Sequence, residues 1–130
     1  MEPVFLSVAE VLEIHRDQIA RSGGTPGIRD VEGLNAALGM PPATYGGQFL
    51  HPEIHEMAAA YLFHLVKNRP FEDGNKRTGA LAALVFLALN GFDVDAPEED
   101  VANMVTAVAG GEIDKSDVAV FIKRHIRPAE

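Results

Sequence analysis

The chain has 130 residues, of which 47% are hydrophobic and 23% charged, and it contains no cysteine. This size and balance predict one folded domain spanning residues 1–130 and exclude disulfides, thiolate metal sites and a cysteine nucleophile. The formal charge of −8 argues against direct binding of nucleic acid, which depends on basic side chains. No signal-peptide pattern or membrane-spanning apolar run is present, so we expect a cytoplasmic protein that does not bind membranes.

Apolar residues recur with a helical period along most of the chain and predict six helices. The first begins at Ser7, which forms a capping box with Glu10. The second follows the glycine-rich segment GGTPGIRD at residues 23–30, and Gly39 ends it. Residues 40–51, MPPATYGGQFLH, are rich in proline, glycine and aromatic residues. We expect them to form a long loop, and a loop of this length is often functional.

The third helix is expected to have Pro52 in its first turn and to end near Lys67. The fourth is expected to run from near Gly74 to Asn90 and, because it is apolar on most sides, to lie at the centre of the fold. Two further helices open near Pro97 and at Asp114 or Ser116. Only residues 4–6 and 92–94 resemble short extended pieces that could pair. The predicted fold is therefore a compact all-α bundle of about six helices around a central helix, with minimal strand content.

The segment NRPFEDGNKRTG, residues 68–79, separates the third and fourth helices. One interpretation is a plain turn with solvated charges. The alternative is a phosphate site, because a glycine turn leading into a helix exposes backbone N–H groups at the positive end of the helix dipole. Lys76 and Arg77 add positive charge at the same end, where basic residues are otherwise unfavourable. Asp73 offers the hard oxygen ligand that Mg²⁺ prefers, next to this phosphate site.

The stretch RPFEDGNKRT resembles the signature of the Fic/Doc family, H-P-F-x-D-G-N-K-R. Its family residues are matched by Pro70, Phe71, Asp73, Gly74, Asn75, Lys76 and Arg77. Arg69 alone departs, because it stands where the family has its catalytic histidine. The segment GGTPGIRD, NGF at residues 90–92 and GEI at residues 111–113 also resemble parts of death-on-curing (Doc) toxins. The resemblance implies an all-α fold, ATP with Mg²⁺ as cofactors, and transfer of a nucleotide-derived group to a protein hydroxyl.

Roles follow from the resemblance, position by position. Phe71 should anchor the loop in the core, and Asp73 should hold Mg²⁺. The nucleotide phosphates should be bound by Gly74, Asn75, Lys76 and Arg77. The implied catalytic set comprises the position of Arg69 together with Asp73, Asn75, Lys76 and Arg77.

Lys76 makes the segment similar to the Doc branch, which implies a toxin kinase acting on a threonine of a translation elongation factor. An AMP-transferring Fic enzyme is the alternative. The resemblance also implies a Phd-like antitoxin, bound through an amphipathic helix in an apolar groove.

Arg69 changes what this chain can do, because arginine has no hydrogen-bond acceptor and stays protonated. It cannot replace a histidine that removes the proton of the target hydroxyl, a contribution of typically about 10²- to 10⁴-fold in rate. The chain should therefore be impaired or inactive. It is then either a naturally inactive binding module for nucleotide or antitoxin, or a toxin altered during cloning without its antitoxin.

Three further features suggest sites more weakly. His51 and His55 have a spacing that can bind zinc, but no HExxH pattern surrounds them, and we expect surface or capping histidines. His64 could be imagined as a substitute base, yet at least one helical turn separates it from Arg69. The loop residues Tyr45, Gln48 and Phe49 suit either binding of a target segment or ordinary packing.

Overall fold

The computed structural model describes residues 2–130, which form six helices and four short strands joined by loops. Side chains from all six helices meet in a single hydrophobic core. The six helices are α1 Val8–Ser22, α2 Val31–Gly39, α3 Ile54–Asn68, α4 Asn75–Leu89, α5 Glu98–Ala109 and α6 Lys115–His125. The four strands are β1 Thr44–Tyr45, β2 Gln48–Phe49, β3 Phe92–Val94 and β4 Ile126–Pro128. The predicted mostly α-helical fold is confirmed.

Side-chain capping bonds fix the starts of α1, α2 and α6 as the sequence predicts. In α1, the Ser7 Oγ accepts a hydrogen bond from the Glu10 N–H at 3.1 Å, and Glu10 Oε1 accepts one from the Ser7 N–H at 2.8 Å. Asp30 caps α2, and Asp114 rather than Ser116 caps α6. Each bond satisfies an N–H group that has no acceptor within its helix. Pro52 is a correction, because the N-cap of α3 is Glu53 and the proline lies outside the helix.

The central helix is α3, and the prediction that α4 occupies this place is wrong. Helices α2, α4, α5 and α6 all pack against α3, whose small residues 58–60 are fully buried. On α4, by contrast, Leu81 and Leu84 are each 38% exposed. Three consecutive alanines let neighbouring helices approach α3 from several sides, whereas hydrophobicity alone does not distinguish a central helix from one with an exposed apolar face.

The short strands differ in part from the prediction. Strand β3 is confirmed, and it pairs antiparallel with β4 near the C-terminus, Phe92 opposite Pro128. Residues 4–6 form no strand. Instead, the Asn90 amide donates to the Val4 carbonyl at 2.9 Å and accepts from the Val4 N–H at 2.8 Å, so one side chain supplies the donor and acceptor of a strand partner. Strands β1 and β2 form a hairpin inside the predicted loop.

Gly79 permits the close approach of α4 to α3. A Cβ atom at this position would lie 2.8 Å from Val66 Cγ2 and 3.2 Å from the Leu62 carbonyl oxygen. The carbonyl belongs to the backbone of the central helix and cannot rotate away. The α3–α4 contact therefore requires glycine here.

We predict that Gly79→Ala lowers the free energy of unfolding by about 1–2 kcal/mol, although alanine favours helix formation, because the overlap forces the helices apart. Urea denaturation followed by circular dichroism measures this. Gly39→Ala is the matched control, since nothing lies within 4 Å of a Cβ there, and it should be neutral or stabilising. Equal stabilisation by both substitutions would contradict the packing argument.

A polar contact between His64 of α3 and Lys115 of α6 ties the two helices together. Its Nε2 lies 3.2 Å from the Lys115 Nζ, and the neutral ring is the acceptor that an ammonium group requires. Burial first, then the charge of Lys115, lowers the pKa of His64 from 6.5 to about 4. His51 lies beside this pair, and burial also lowers its pKa. The folded protein therefore keeps His64 neutral near pH 7.

From this we predict an acid-sensitive stability. The pKa of His64 is lower in the folded than in the unfolded chain, so stability is complete above about pH 6.5 and falls as the pH approaches 4. The loss from one group is at most about 1.4 kcal/mol per pH unit. Thermal unfolding between pH 7.5 and 4.5 measures it, and His64→Gln, which keeps an acceptor for Lys115, should flatten the profile. An unchanged profile in this variant would exclude His64 as the source.

Candidate active site

The loop joining α3 to α4, residues 69–74, has left-handed backbone at both ends. Arg69 has φ 47° and ψ 56°, and it is the only non-glycine residue with positive φ among residues 2–130. Gly74 has φ 78° and serves as the N-cap of α4. A side chain is unfavourable in this conformation, and arginine is not among the residue types that tolerate it best. The backbone at position 69 is therefore strained, and neighbouring contacts must hold it.

Phe71 and Asn75 give the loop its shape. Phe71 is 1% exposed, as expected for an anchor in the core, and its ring stacks on His15 of α1 with centroids 3.8 Å apart. The Asn75 amide donates to the Phe71 carbonyl at 3.0 Å and accepts from the Phe71 N–H at 2.9 Å. The side chain of Asn75 thus braces the loop from inside.

The glycine-rich segment 23–30 forms a second wall along the loop. Its backbone N–H groups at Arg29 and Asp30 both donate to the Pro70 carbonyl, at 2.7 and 3.0 Å. The guanidinium of Arg29 donates to the Arg69 carbonyl at 2.8 Å and to the Asn68 carbonyl at 3.0 Å. Arg29 therefore caps the C-terminus of α3 and holds the strained residue through its backbone oxygen.

A cleft of about 640 Å³ opens beside the N-terminus of α4. The structure brings together in its lining every residue predicted for the site, namely Arg69, Asp73, Gly74, Asn75, Lys76 and Arg77. The first helical hydrogen bond of α4 runs from the Thr78 N–H to the Gly74 carbonyl. The N–H groups of the three preceding residues consequently have no acceptor within the helix. With two basic side chains, this arrangement favours a phosphate group.

Asp73 is the candidate metal ligand of the cleft. Its Oδ2 accepts a hydrogen bond from the Thr25 N–H at 2.7 Å, which orients the carboxylate. Residues 2–130 contain no group of three or more His, Cys, Asp or Glu side chains that could hold a metal ion. A tightly caged metal such as structural zinc therefore does not fit. Mg²⁺ does, because it commonly takes one or two carboxylates and completes its shell with phosphate oxygens and water.

The cleft has no histidine to act as a general base at the position of Arg69, and the carboxylates in its lining are Glu72 and Asp73. None of the described residues that line it is a histidine. His15 lies close, but its Nε2 is 2.9 Å from the Asp73 carbonyl oxygen and must donate to it. The His64 Nε2 is engaged by Lys115, as expected for a residue that is not a substitute base.

His51 is not the surface histidine that we expected. It is 7% exposed, and its Nδ1 has no hydrogen-bond partner within the described residues. In the same region, the hairpin residue Tyr45 is 82% exposed, so it does not pack against the core.

Helix α1 contributes residues to the cleft that the sequence did not reveal. Gln18 and Ser22 line it, and Ser22 Oγ accepts a hydrogen bond from the Arg77 guanidinium. The sequence does contain a pattern that indicates them: the polar residues His15, Gln18 and Ser22 recur at helical spacing on the face of α1 that also carries the buried Ile19. Polar residues at buried positions of a helix indicate a site or a polar network.

A second, apolar cavity of about 430 Å³ lies between α4 and α5. We call it the α4–α5 groove, and its apolar lining comprises Ala80, Leu84, Val94, Ala96, Val101, Ala102 and Val105. Lys76 and Arg77 line this groove as well as the first cleft. The two cavities therefore share these two basic residues.

None of the helices formed by residues 2–130 is long and apolar enough to cross a membrane.

Comparison with known proteins agrees with the motif. The model of the Fic/DOC family matches residues 5–87. The chain is 35% identical over 126 residues to "Protein kinase doc" of Escherichia phage P1, covering 96% of this chain and 98% of that protein. It is 38% identical over 103 residues to "Toxin Doc" of Mycolicibacterium smegmatis, covering 75% of this chain and 76% of that protein. Together with the loop geometry, these matches show that the chain belongs to the Fic/DOC family.

Proposed function

We propose that this chain has the architecture of a toxin kinase, which transfers the terminal phosphoryl group of ATP, with Mg²⁺, to a threonine of a translation elongation factor. The observation that carries the proposal is the single cleft in which Asp73, Lys76 and Arg77 surround the N-terminus of α4. The similarity to a protein named as a kinase over nearly the whole chain supports it. Phosphoryl transfer depends mainly on positioning and charge neutralisation, and this cleft supplies both.

The chain's own residues divide these tasks. The N–H groups of the first turn of α4 and the Lys76 side chain bind and orient phosphate oxygens. Arg77, held by Ser22, neutralises negative charge on the group that is transferred. Asp73, oriented by the Thr25 N–H, would hold Mg²⁺. When bound, the metal supplies further neutralisation of phosphate charge.

Proton removal from the target hydroxyl is the missing step. Arg69 is exposed at the edge of the cleft and has no lone pair to accept a proton. The phosphate-binding turn does not depend on this side chain, because Asn75, Phe71 and the segment 23–30 hold the loop. We therefore propose that this chain still binds ATP with Mg²⁺ and transfers phosphate poorly or not at all.

The second candidate is a binding module that sequesters nucleotide or an antitoxin without catalysis. Arg69 favours it, because arginine adds a positive charge at the edge of an intact anion site. AMP transfer is a third hypothesis. Lys76 argues against it, because AMP-transferring relatives usually have glycine at this position. The experiment below separates the three.

We predict that Arg69→His restores transfer by about 10²- to 10⁴-fold and arrests growth on expression, because histidine supplies the proton acceptor. Position 69 suits this change, since histidine tolerates the left-handed conformation better than most residues. Growth curves and mass spectrometry of the elongation factor measure the result. The mass added to the factor distinguishes phosphate from AMP.

Two controls accompany this substitution. Arg69→Gln also removes the positive charge but supplies no base, and it should remain inactive. Arg77→Ala in the Arg69→His background should abolish growth arrest, because the transferred charge is no longer neutralised. If Arg69→His folds, binds ATP and modifies no protein even in a lysate of its native host, the binding-module reading replaces the kinase.

We also propose that an antitoxin binds through an amphipathic helix placed in the α4–α5 groove. Most residues that line the groove are apolar, Leu84 on its wall is 38% exposed, and its charged residues are Lys76, Arg77 and Glu98. An apolar helix face carrying an acidic residue matches this surface. Because the same two basic residues line the cleft, a partner seated here would lie beside the phosphate site.

We expect Leu84→Glu to weaken antitoxin binding at least about 10-fold by placing a charge in an apolar contact. Co-expression with the neighbouring antitoxin gene, followed by affinity purification and calorimetry, measures this. Val120→Glu on α6 is the matched control, since Val120 is similarly exposed, at 48%, and lies outside the groove. Equal loss in both variants, or no loss in either, would place the antitoxin elsewhere.

A further inference from the structure

Arg77 lines both cavities, so its guanidinium has two places in which it can lie. On the side of the cleft, the Ser22 Oγ accepts a hydrogen bond from it. On the side of the α4–α5 groove, the lining includes the carboxylate of Glu98. Arg77 forms no ion pair within residues 2–130. The guanidinium therefore lies with a neutral hydroxyl, although an opposite charge lines the other cavity.

The packing of α1 places its last residue, Ser22, within reach of Arg77. Ile19, nearly one turn earlier, is buried and packs against two glycines that line the cleft. Its Cδ1 would lie 3.2 Å from a Cβ at Gly74 and 3.1 Å from a Cβ at Gly24. The end of α1 is thus held beside the cleft by contacts that do not involve the hydroxyl of Ser22. That hydroxyl is free to serve Arg77.

The two places for the guanidinium are close in energy, because both are open to water. Ser22, Arg77 and Glu98 are all exposed. An exposed ion pair contributes little, since water screens the charges and two long side chains must be ordered. A hydrogen bond from a charged donor to a hydroxyl is of comparable strength. A single hydroxyl can therefore decide on which side the guanidinium lies.

We propose that Ser22 is a positioning residue, which holds the Arg77 guanidinium in the phosphate cleft and away from Glu98 in the α4–α5 groove. The inference rests on the proposed function, since it assumes that Arg77 binds a phosphate group of ATP in the cleft. Arginine binds phosphate through a planar set of donors, so its orientation matters as well as its charge. A guanidinium that is already in place loses less freedom when the phosphate binds. Ser22 therefore raises the affinity for ATP by acting through Arg77.

The test measures the affinity for ATP with Mg²⁺ by isothermal titration calorimetry in single and double variants. We expect Ser22→Ala to weaken binding about 3- to 10-fold, the value of one hydrogen bond. Ser22→Thr, which keeps the hydroxyl, should bind as the wild-type chain does. In the Arg77→Ala background, Ser22→Ala should cause no further loss, because the effect passes through Arg77. Ser116→Ala on α6 is the matched control and should leave the affinity unchanged, since Ser116 lines neither cavity.

A second arm tests the competition with Glu98. In the Ser22→Ala background, Glu98→Gln should recover most of the lost affinity, because the charge that draws the guanidinium toward the groove is gone. Glu99→Gln removes the same charge from a neighbouring residue that does not line the groove. This matched control should recover nothing.

The outcomes separate this inference from the proposed function. If the wild-type chain does not bind ATP with Mg²⁺, both are overturned. If the wild-type chain binds and Ser22→Ala binds equally well, only the role of Ser22 is overturned. An equal loss with and without Arg77 would show that Ser22 contacts the nucleotide or supports the fold, and a lowered thermal midpoint identifies the latter. A loss that Glu98→Gln does not repair would overturn the competition between the two cavities.

Discussion

The packing of α3 against α4 is the contact on which the rest of the structure depends. Gly79 lets the helices approach so closely that a single methyl group would overlap Val66 Cγ2 and press against the Leu62 carbonyl oxygen. The chain must then pass from one helix to the next in six residues. It does so through left-handed backbone at Arg69 and Gly74. This reversal places the first turn of α4 beside the cleft, so the tight helix contact and the candidate phosphate site have the same origin.

The site concentrates features that are unfavourable in the free protein. Arg69 is strained, Lys76 and Arg77 stand at the positive end of a helix, and the Gln18 oxygen is unpaired. The segment 23–30 holds the strained Arg69, and a bound anion would offset the charges of Lys76 and Arg77. Local rules of stability are commonly broken at functional sites in this way. Their coincidence in one cleft supports function independently of the motif.

Much of the fold and the site could be predicted, because the relevant interactions are local in sequence. The capping box of Ser7 and Glu10 lies within four residues, and the loop 69–74 with its first helical turn is contiguous. What sequence reasoning missed depends on distant contacts. Strand β4 pairs with β3 across more than 30 residues, and Asn90 contacts Val4 across 86. Gln18 joins the site only because α1 packs beside α4, and α3 becomes central only through the neighbours that surround it.

Arg29 has a consequence for substitutions at position 69. Its guanidinium donates hydrogen bonds to the backbone carbonyl oxygens of Asn68 and Arg69, which are present whatever the residue type, and not to the side chain of residue 69. These contacts therefore do not depend on the side chain at position 69, although its left-handed backbone favours some residue types over others. A substitution at this position can therefore change the chemistry of the cleft while the backbone contacts that shape the loop persist.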